Sequence, residues 1–202
     1  MARPPRNLHG RFAVGSIRDV RVLTEAALSI ALAFVLSFIK LLDLPFGGSI
    51  WLEMVPLILF ALRQGAAAGM ITGAVYGMLN LAVDPFIVHP VQVLFDYPIA
   101  FGALGLAGLF KPTTLGTVLG ALAATAARFA AHFVSGVVFF AAYAPEGWNP
   151  FLYSAAYNAV YLVPSLIIAV VGVRLLLAAL ERARPSRRQL EVREGAVRPH
   201  TV

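Results

Sequence analysis

Long apolar runs alternate with short polar breaks along this chain, and that pattern dictates the architecture before any single residue is weighed. Apolar stretches extend over about Val22–Leu42, Ile50–Leu62, Gly65–Val83, Val91–Phe110, Leu115–Tyr143 and Phe151–Leu180. A helix needs roughly 20 residues to cross the hydrocarbon core of a bilayer, and most of these runs reach that length. The second is short and the fifth is long, so their boundaries are the softest. The pattern predicts an all-α integral membrane protein, a bundle of six transmembrane helices. It divides the chain into a basic N-terminal segment (1–21), a membrane domain (22–180) and a polar tail (181–202). The tail, ERARPSRRQLEVREGAVRPHTV, has few large apolar groups and is expected to be disordered.

Composition sharpens the picture. Of 202 residues, 59% are hydrophobic and only 13% charged, about half the charge of a soluble domain. The net charge of +6 does not point to nucleic acid, because the basic residues cluster at the two ends. Arg3, Arg6, Arg11, Arg18 and Arg21 precede or open the first span; Arg174, Arg182, Arg184, Arg187, Arg188, Arg193 and Arg198 close the chain. Cytoplasmic flanks collect Lys and Arg, so both termini are placed in the cytoplasm. An even number of spans follows, and the outer loops become Lys40–Ser49, Asp84–Pro90 and Ala144–Pro150, with Lys40 their one basic residue. The start, MARPPRNLHGRF, is basic and Pro-containing and does not read as a cleaved leader.

Several chemistries are excluded by what is missing. There is no cysteine, hence no disulfide, thiolate ligand or cysteine nucleophile. The four histidines, His9, His89, His132 and His200, are too scattered for a metal set. Neither lysine, Lys40 or Lys111, follows a glycine, so no nucleotide-binding G-x-x-x-x-G-K-[ST] loop exists. No metal or other cofactor is expected, and the chain cannot use ATP through such a loop. One stripe concerns packing: Gly65, Gly69, Gly73 and Gly77 recur every fourth position in RQGAAAGMITGAVYG, and a helix face of glycines lets a neighbour approach closely. A shorter small-residue stripe, Ala27 and Ala31, follows Glu25 in TEAALSIALAF.

The informative residues are polar ones at membrane depth, where charge is costly and faces a bundle interior or wet cavity. HPVQVLFDYPIAF carries Gln92, Asp96 and Tyr97 within an apolar run. RFAAHFVSGVVFF places Arg128, His132, Gly136 and Phe140 four residues apart on one helix face. The sixth run adds Tyr153, Tyr157 and Asn158, and Glu53 opens the second. Together they suit a small, flat, polar and cationic molecule: a carboxylate for its charge, aromatic faces for its ring, and amide and imidazole for its nitrogens. The bland alternative is a buried Asp96–Arg128 ion pair with a satisfied core histidine and interfacial tyrosines.

LTEAALSIALAF, GGSIWLEMVP, ALRQGAAAGM, HPVQVLFDYPIAFGALGLAGLF, RFAAHFVSGVVFF and YSAAYNAVY, in this order from about Arg21 to Leu177, resemble the thiamine-specific substrate-binding subunit of energy-coupling-factor (ECF) transporters. The resemblance implies a multi-pass protein of a prokaryotic cell membrane that binds thiamine from outside. Its partners would be a transmembrane coupling protein and two ATPases, with no catalytic site of its own. Carried over by position, the family's acidic ligand falls on Asp96, followed by Tyr97. The pocket histidine falls on His132, the glycine one turn on is Gly136, and the last span contributes Tyr153 and Asn158. Arg128 stands where the compared member has lysine. Phe140 replaces a stacking tryptophan and Phe86 an outer-loop tyrosine. Ser49 stands at a tryptophan position with Trp51 two residues away, and Glu53 matches an acidic position. The resemblance also implies docking of the coupling protein on the Ala27/Ala31 stripe, and makes Leu41–Ser49 a candidate lid. A carrier of a thiamine precursor or another vitamin, an intramembrane acid/base enzyme using Asp96 and His132, and a purely structural membrane protein are the alternatives left open.

Overall fold

Five of the six predicted spans begin and end within a few residues of a helix; the first is cut short. In the computed structural model, which describes residues 19–45 and 48–183, the helices are α1 (Val20–Leu36), α2 (Met54–Gln64), α3 (Ala66–Val83), α4 (Pro90–Leu109), α5 (Thr114–Phe139) and α6 (Pro150–Arg182). Most of the arginine-rich head, the tail from 184 onward and the loop tip at Phe46 and Gly47 lie outside the described residues. Local chemistry sets the boundaries. Asp19, His89, Thr113 and Asn149 each accept a backbone N–H of the first turn, and Pro90 and Pro150 occupy first-turn positions where no N–H is required.

The predicted span Val22–Leu42 is corrected. The helix stops at Leu36, where the Ser37 hydroxyl turns back onto the Phe34 carbonyl at 2.7 Å. Lys40–Asp43 is instead a strand, β1, paired antiparallel with β2 (Ser49–Trp51). Leu41 and Leu42 continue the hydropathy of the helix before them, so apolar content alone cannot mark the change. What reads as a loop is therefore a hairpin bent over one end of the bundle.

Helix α2 explains the short second run. Eleven residues span about 16 Å, half a bilayer, yet Met54, Leu57, Ile58, Phe60, Ala61 and Leu62 are all buried. It packs against each of the other five helices and is the core rather than part of the lipid-facing wall. The four longest helices, α3 to α6, are long and apolar enough to cross a membrane. Their outer faces carry exposed Leu115, Leu122, Val163, Ile167 and Leu175, as a lipid contact requires.

The glycine stripe of α3 is used inside the chain. A Cβ on Gly73 would strike the Phe101 carbonyl, and one on Gly77 would lie 2.5 Å from the Tyr97 carbonyl, both on α4. Gly65, at φ 94°, supplies the left-handed joint between α2 and α3. Beside Gly77, α4 is not regular. Pro98 has no N–H to continue the α-helical ladder, and Phe95–Ile99 widen into a single π turn that carries Asp96 and Tyr97.

Candidate ligand-binding site

A cavity of about 310 Å³ opens at the end of the bundle under the hairpin. Its walls are the β1–β2 hairpin, the α3–α4 connection, the π turn of α4, the C-terminal half of α5 and the first turns of α6. All twelve residues singled out by sequence line it: Ser49, Trp51, Glu53, Phe86, Asp96, Tyr97, Arg128, His132, Gly136, Phe140, Tyr153 and Asn158. They do not all have the roles their positions suggested.

Asp96 is the best-supported charge in the cavity. Gln92 Nε2 donates to its Oδ2 at 2.7 Å, Ser135 Oγ donates to the same oxygen at 2.9 Å, and His132 Nδ1 lies 3.0 Å from Oδ1. The neighbours of His132 decide where its proton sits. Arg128 Nε–H donates to His132 Nε2 at 3.3 Å, and a guanidinium is always a donor. Nε2 must then accept, so a neutral imidazole carries its proton on Nδ1 and donates it to Asp96.

The Asp96–Arg128 ion pair does not form. Arg128 Nη2 pairs with Glu53 Oε1 at 3.3 Å, and Glu53 takes a second bond from Tyr76 Oη at 2.5 Å. The guanidinium also lies 4.0 Å from the centroid of the Phe101 ring. Glu53 is thus a buried counter-charge for Arg128, and Arg128 acts on His132. Glu53 and Arg128 are 75 residues apart, and nothing in the local spacing of either announces the other.

Tyr97 lines the cavity, with its hydroxyl engaged by backbone. Its hydroxyl accepts the Phe86 N–H at 2.7 Å and donates to the Asp84 carbonyl at 3.0 Å, so it fastens the α3–α4 connection. Gln92 fastens the same loop, donating to the Phe86 carbonyl at 3.1 Å and accepting the Val88 N–H at 3.0 Å. Phe86 is thereby held with its ring stacked on Phe140, centroids 5.9 Å apart at 21°. The Asn158 amide is engaged by its own helix, through the Ser154 carbonyl at 2.8 Å and the Tyr161 hydroxyl at 2.6 Å. Gly136 admits Ser154 of α6, which a Cβ there would strike. Tyr153 and Tyr157 form an aromatic wall, centroids 5.9 Å apart.

The mouth has residues that the sequence reading passed over. Lys40 Nζ bridges Asp43 at 3.3 Å and Asp84 at 3.2 Å, tying the hairpin to the α3–α4 connection, and it sits 5.5 Å from the Trp51 ring. Ser49 Oγ donates to Asp43 at 2.5 Å, so its hydroxyl serves the hairpin. Tyr157 Oη accepts the Gly48 N–H at 2.9 Å and donates to the Pro45 carbonyl, pinning both sides of the hairpin tip to α6. Burial works against the Lys40 ammonium, but its bonds to Asp84 and Asp43 outweigh that and hold it above the ordinary lysine value. The Ser49 hydrogen bond, helped by Lys40, holds Asp43 below the ordinary carboxylate value. As the one basic residue of the outer loops, Lys40 was the available signal.

The lining therefore holds four carboxylates, Asp43, Glu53, Asp84 and Asp96, against two cations, Lys40 and Arg128. Carboxylates in excess, stacked rings and a polar floor make a receptor for an aromatic cation. Outside its lining, on α1, Ala27 and Ala31 are exposed, and Glu25 is held by Arg63 at 2.5 Å and by Gln64 at 2.5 Å.

Comparison with known proteins agrees with this geometry. Residues 23–184 match the family model described as thiamine transporter protein (Thia_YuaJ). The thiamine transporter ThiT of Bacillus subtilis (strain 168) is 36% identical over 176 residues, covering 79% of this chain and 92% of that protein. A solved ThiT from Listeria monocytogenes superposes with a TM-score of 0.72 at 28% identity, over 81% of this chain and 96% of that one. The solved S component of a bacterial ECF transporter shares the fold, with a TM-score of 0.56 at 20% identity over 80% and 96% of the two chains. The chain belongs to the thiamine transporter protein family.

Proposed function

We propose that this chain is the thiamine-capturing membrane subunit of an ECF-type importer in a prokaryotic cell membrane. It takes the vitamin from outside into the cavity below the hairpin and releases it inward with a coupling protein and two ATPases. The observation that carries the reading is Asp96. It accepts from Gln92, Ser135 and His132, and among the described residues no lysine or arginine pairs with it. Such a carboxylate, in a cavity walled by Phe86, Phe140, Tyr153 and Tyr157, suits the fixed positive charge of a thiazolium joined to a flat aminopyrimidine.

Orientation follows from charge. Glu53, Phe140 and Tyr153 mark the cavity end of α2, α5 and α6, while Arg63, Lys111 and Arg182 mark the other end of the same helices. Basic ends face the cytoplasm, so the cavity faces out. The coupling protein would dock on α1, which buries only Val22 and Ala33 and leaves Ala27 and Ala31 uncovered. Small side chains there let a partner helix come close. The Glu25 clamp to Arg63 and Gln64 supports this by fixing which face of α1 looks outward.

Titration of a detergent-purified Trp148→Phe variant tests the reading. Trp51 then remains as the reporter, and it lines the cavity. Saturable, stoichiometric quenching by thiamine, matched by calorimetry, is expected. Binding of an aminopyrimidine alone would move the chain to a precursor carrier, and no response to either would overturn the proposal.

A further inference from the structure

His132 is surrounded by groups that should charge it. Asp96 on α4 is hydrogen-bonded to Nδ1 at 3.0 Å, and an imidazolium beside a carboxylate is the ordinary outcome of such contact. A second proton on His132 would neutralise Asp96 from within and leave that carboxylate no charge to offer a ligand. One group stands in the way. Arg128, one helical turn away, directs Nε–H at His132 Nε2 from 3.3 Å. A proton added at Nε2 would oppose two N–H groups and place cation beside cation. Arg128 is fixed there by Glu53 Oε1 at 3.3 Å and by the Phe101 ring, and Glu53 is fixed by Tyr76. The remaining ionisable neighbour, Tyr161 of α6, meets His132 edge-on with centroids 6.0 Å apart.

We propose that Arg128, held by Glu53, is a positioning residue that keeps His132 singly protonated on Nδ1 and so reserves the charge of Asp96 for a cationic ligand. It acts through His132, and makes the pair a determinant of selectivity for a cation over its neutral isostere. The selectivity half rests on the thiamine reading; the protonation half does not.

The test reads the ring directly. Ligand-free protein with ¹⁵N-labelled histidine is examined at pH 5.5, about one unit below the ordinary histidine value, where roughly nine-tenths of a free imidazole is doubly protonated. The His132 signals are assigned by their loss in His132→Gln. A protonated Nδ1 with a bare Nε2 is expected. A doubly protonated ring, or a proton on Nε2 alone, overturns the proposal.

Glu53→Gln combined with Arg128→Met removes the buried pair as a neutral unit and keeps an acceptor for Tyr76. In it His132 is expected to carry both protons. The ratio of affinities for thiamine and for an analogue with carbon at the quaternary ring nitrogen is expected to fall by about tenfold. An unchanged ring state and ratio would overturn the proposal. Should the double variant not fold, the wild-type spectrum still decides the ring state. Glu53→Gln with Arg128→Gln, a second neutral replacement of the pair whose amide oxygen at position 128 can accept a proton from Nε2, then carries the affinity comparison; an undiminished ratio counts against the selectivity role. If wild-type protein shows the expected spectrum but binds no thiamine, the function falls and the role of Arg128 toward the ring stands.

Discussion

Two adjacent side chains, Asp96 and Tyr97, do different work, and the difference can be measured. Asp96→Asn keeps the shape but removes the charge and turns one of the two acceptor oxygens into a donor. It is expected to weaken thiamine binding by ten- to a hundredfold, the scale of a charged hydrogen bond at about 1.5–3 kcal/mol, with an added cost in stability of about 1 kcal/mol where donor faces donor. Tyr97→Phe leaves the Phe86 N–H and the Asp84 carbonyl without their partner. It should therefore lower stability by about 1–3 kcal/mol and weaken binding only as far as Phe86 loses its place. Calorimetric titration beside a thermal melt separates the two; equal effects on both observables in both variants would contradict this assignment. The sequence made Asp96 conspicuous because a carboxylate in an apolar run must have a reason. It could not show that the Tyr97 hydroxyl is already engaged, since its partners are backbone groups of a connection whose path is set by the fold. The Glu53–Arg128 partnership was hidden for the same reason: it joins two helices that only the packed core brings together.

At the level of elements, the site depends on how closely α3 approaches the π turn of α4. Gly77→Ala would place a methyl carbon 2.5 Å from the Tyr97 carbonyl and 3.1 Å from Pro98 Cα, so backbone must move. A loss of about 1–3 kcal/mol is expected, with weaker thiamine binding because the displaced turn carries Asp96. Val75→Ala, on the exposed side of the same helix, should leave binding unchanged. This packing was legible, since a glycine at every fourth position has few other uses in a membrane helix. The hairpin was not, because Leu41 and Leu42 extend an apolar run without a break, although Pro98 within the fourth run was a usable sign of irregularity. The hairpin's tie to the rest of the mouth is electrostatic and carries its own prediction. Asp43 has a depressed pKa, so its contribution is present above the ordinary carboxylate value and disappears as pH falls through the lowered one. Lys40 has a raised pKa, so its contribution is present below the ordinary lysine value and disappears as pH rises through the higher one. Between those limits the rate of thiamine release should be nearly flat with pH, apart from titration of other groups, and should rise in Lys40→Ala. All three partners are partly exposed, so the increase should be modest and should shrink in high salt.

For the whole molecule, the distribution of charge and the position of the cavity must agree, or import from outside is impossible. The two ends of the helix bundle differ sharply. One carries the hairpin, Asp84 and the cavity mouth, with Lys40 already paired to two carboxylates; the other gathers Arg63, Lys111, Arg174 and Arg182. The positive-inside rule then fixes the orientation without reference to any relative. The absence of cysteine makes this simple to test, because each introduced thiol is the only one present. Ile87→Cys, exposed in the α3–α4 connection, should react in intact cells with a maleimide that cannot cross the membrane. Thr114→Cys, exposed at the opposite end where α5 begins, should react only when the cytoplasmic face is opened, as in inside-out vesicles. The reverse pattern would place the cavity mouth in the cytoplasm, and a carboxylate-lined receptor facing inward could serve export or storage but not capture. Labelling of both positions from outside would mean that α4 does not cross the bilayer, since the two thiols lie beyond its opposite ends.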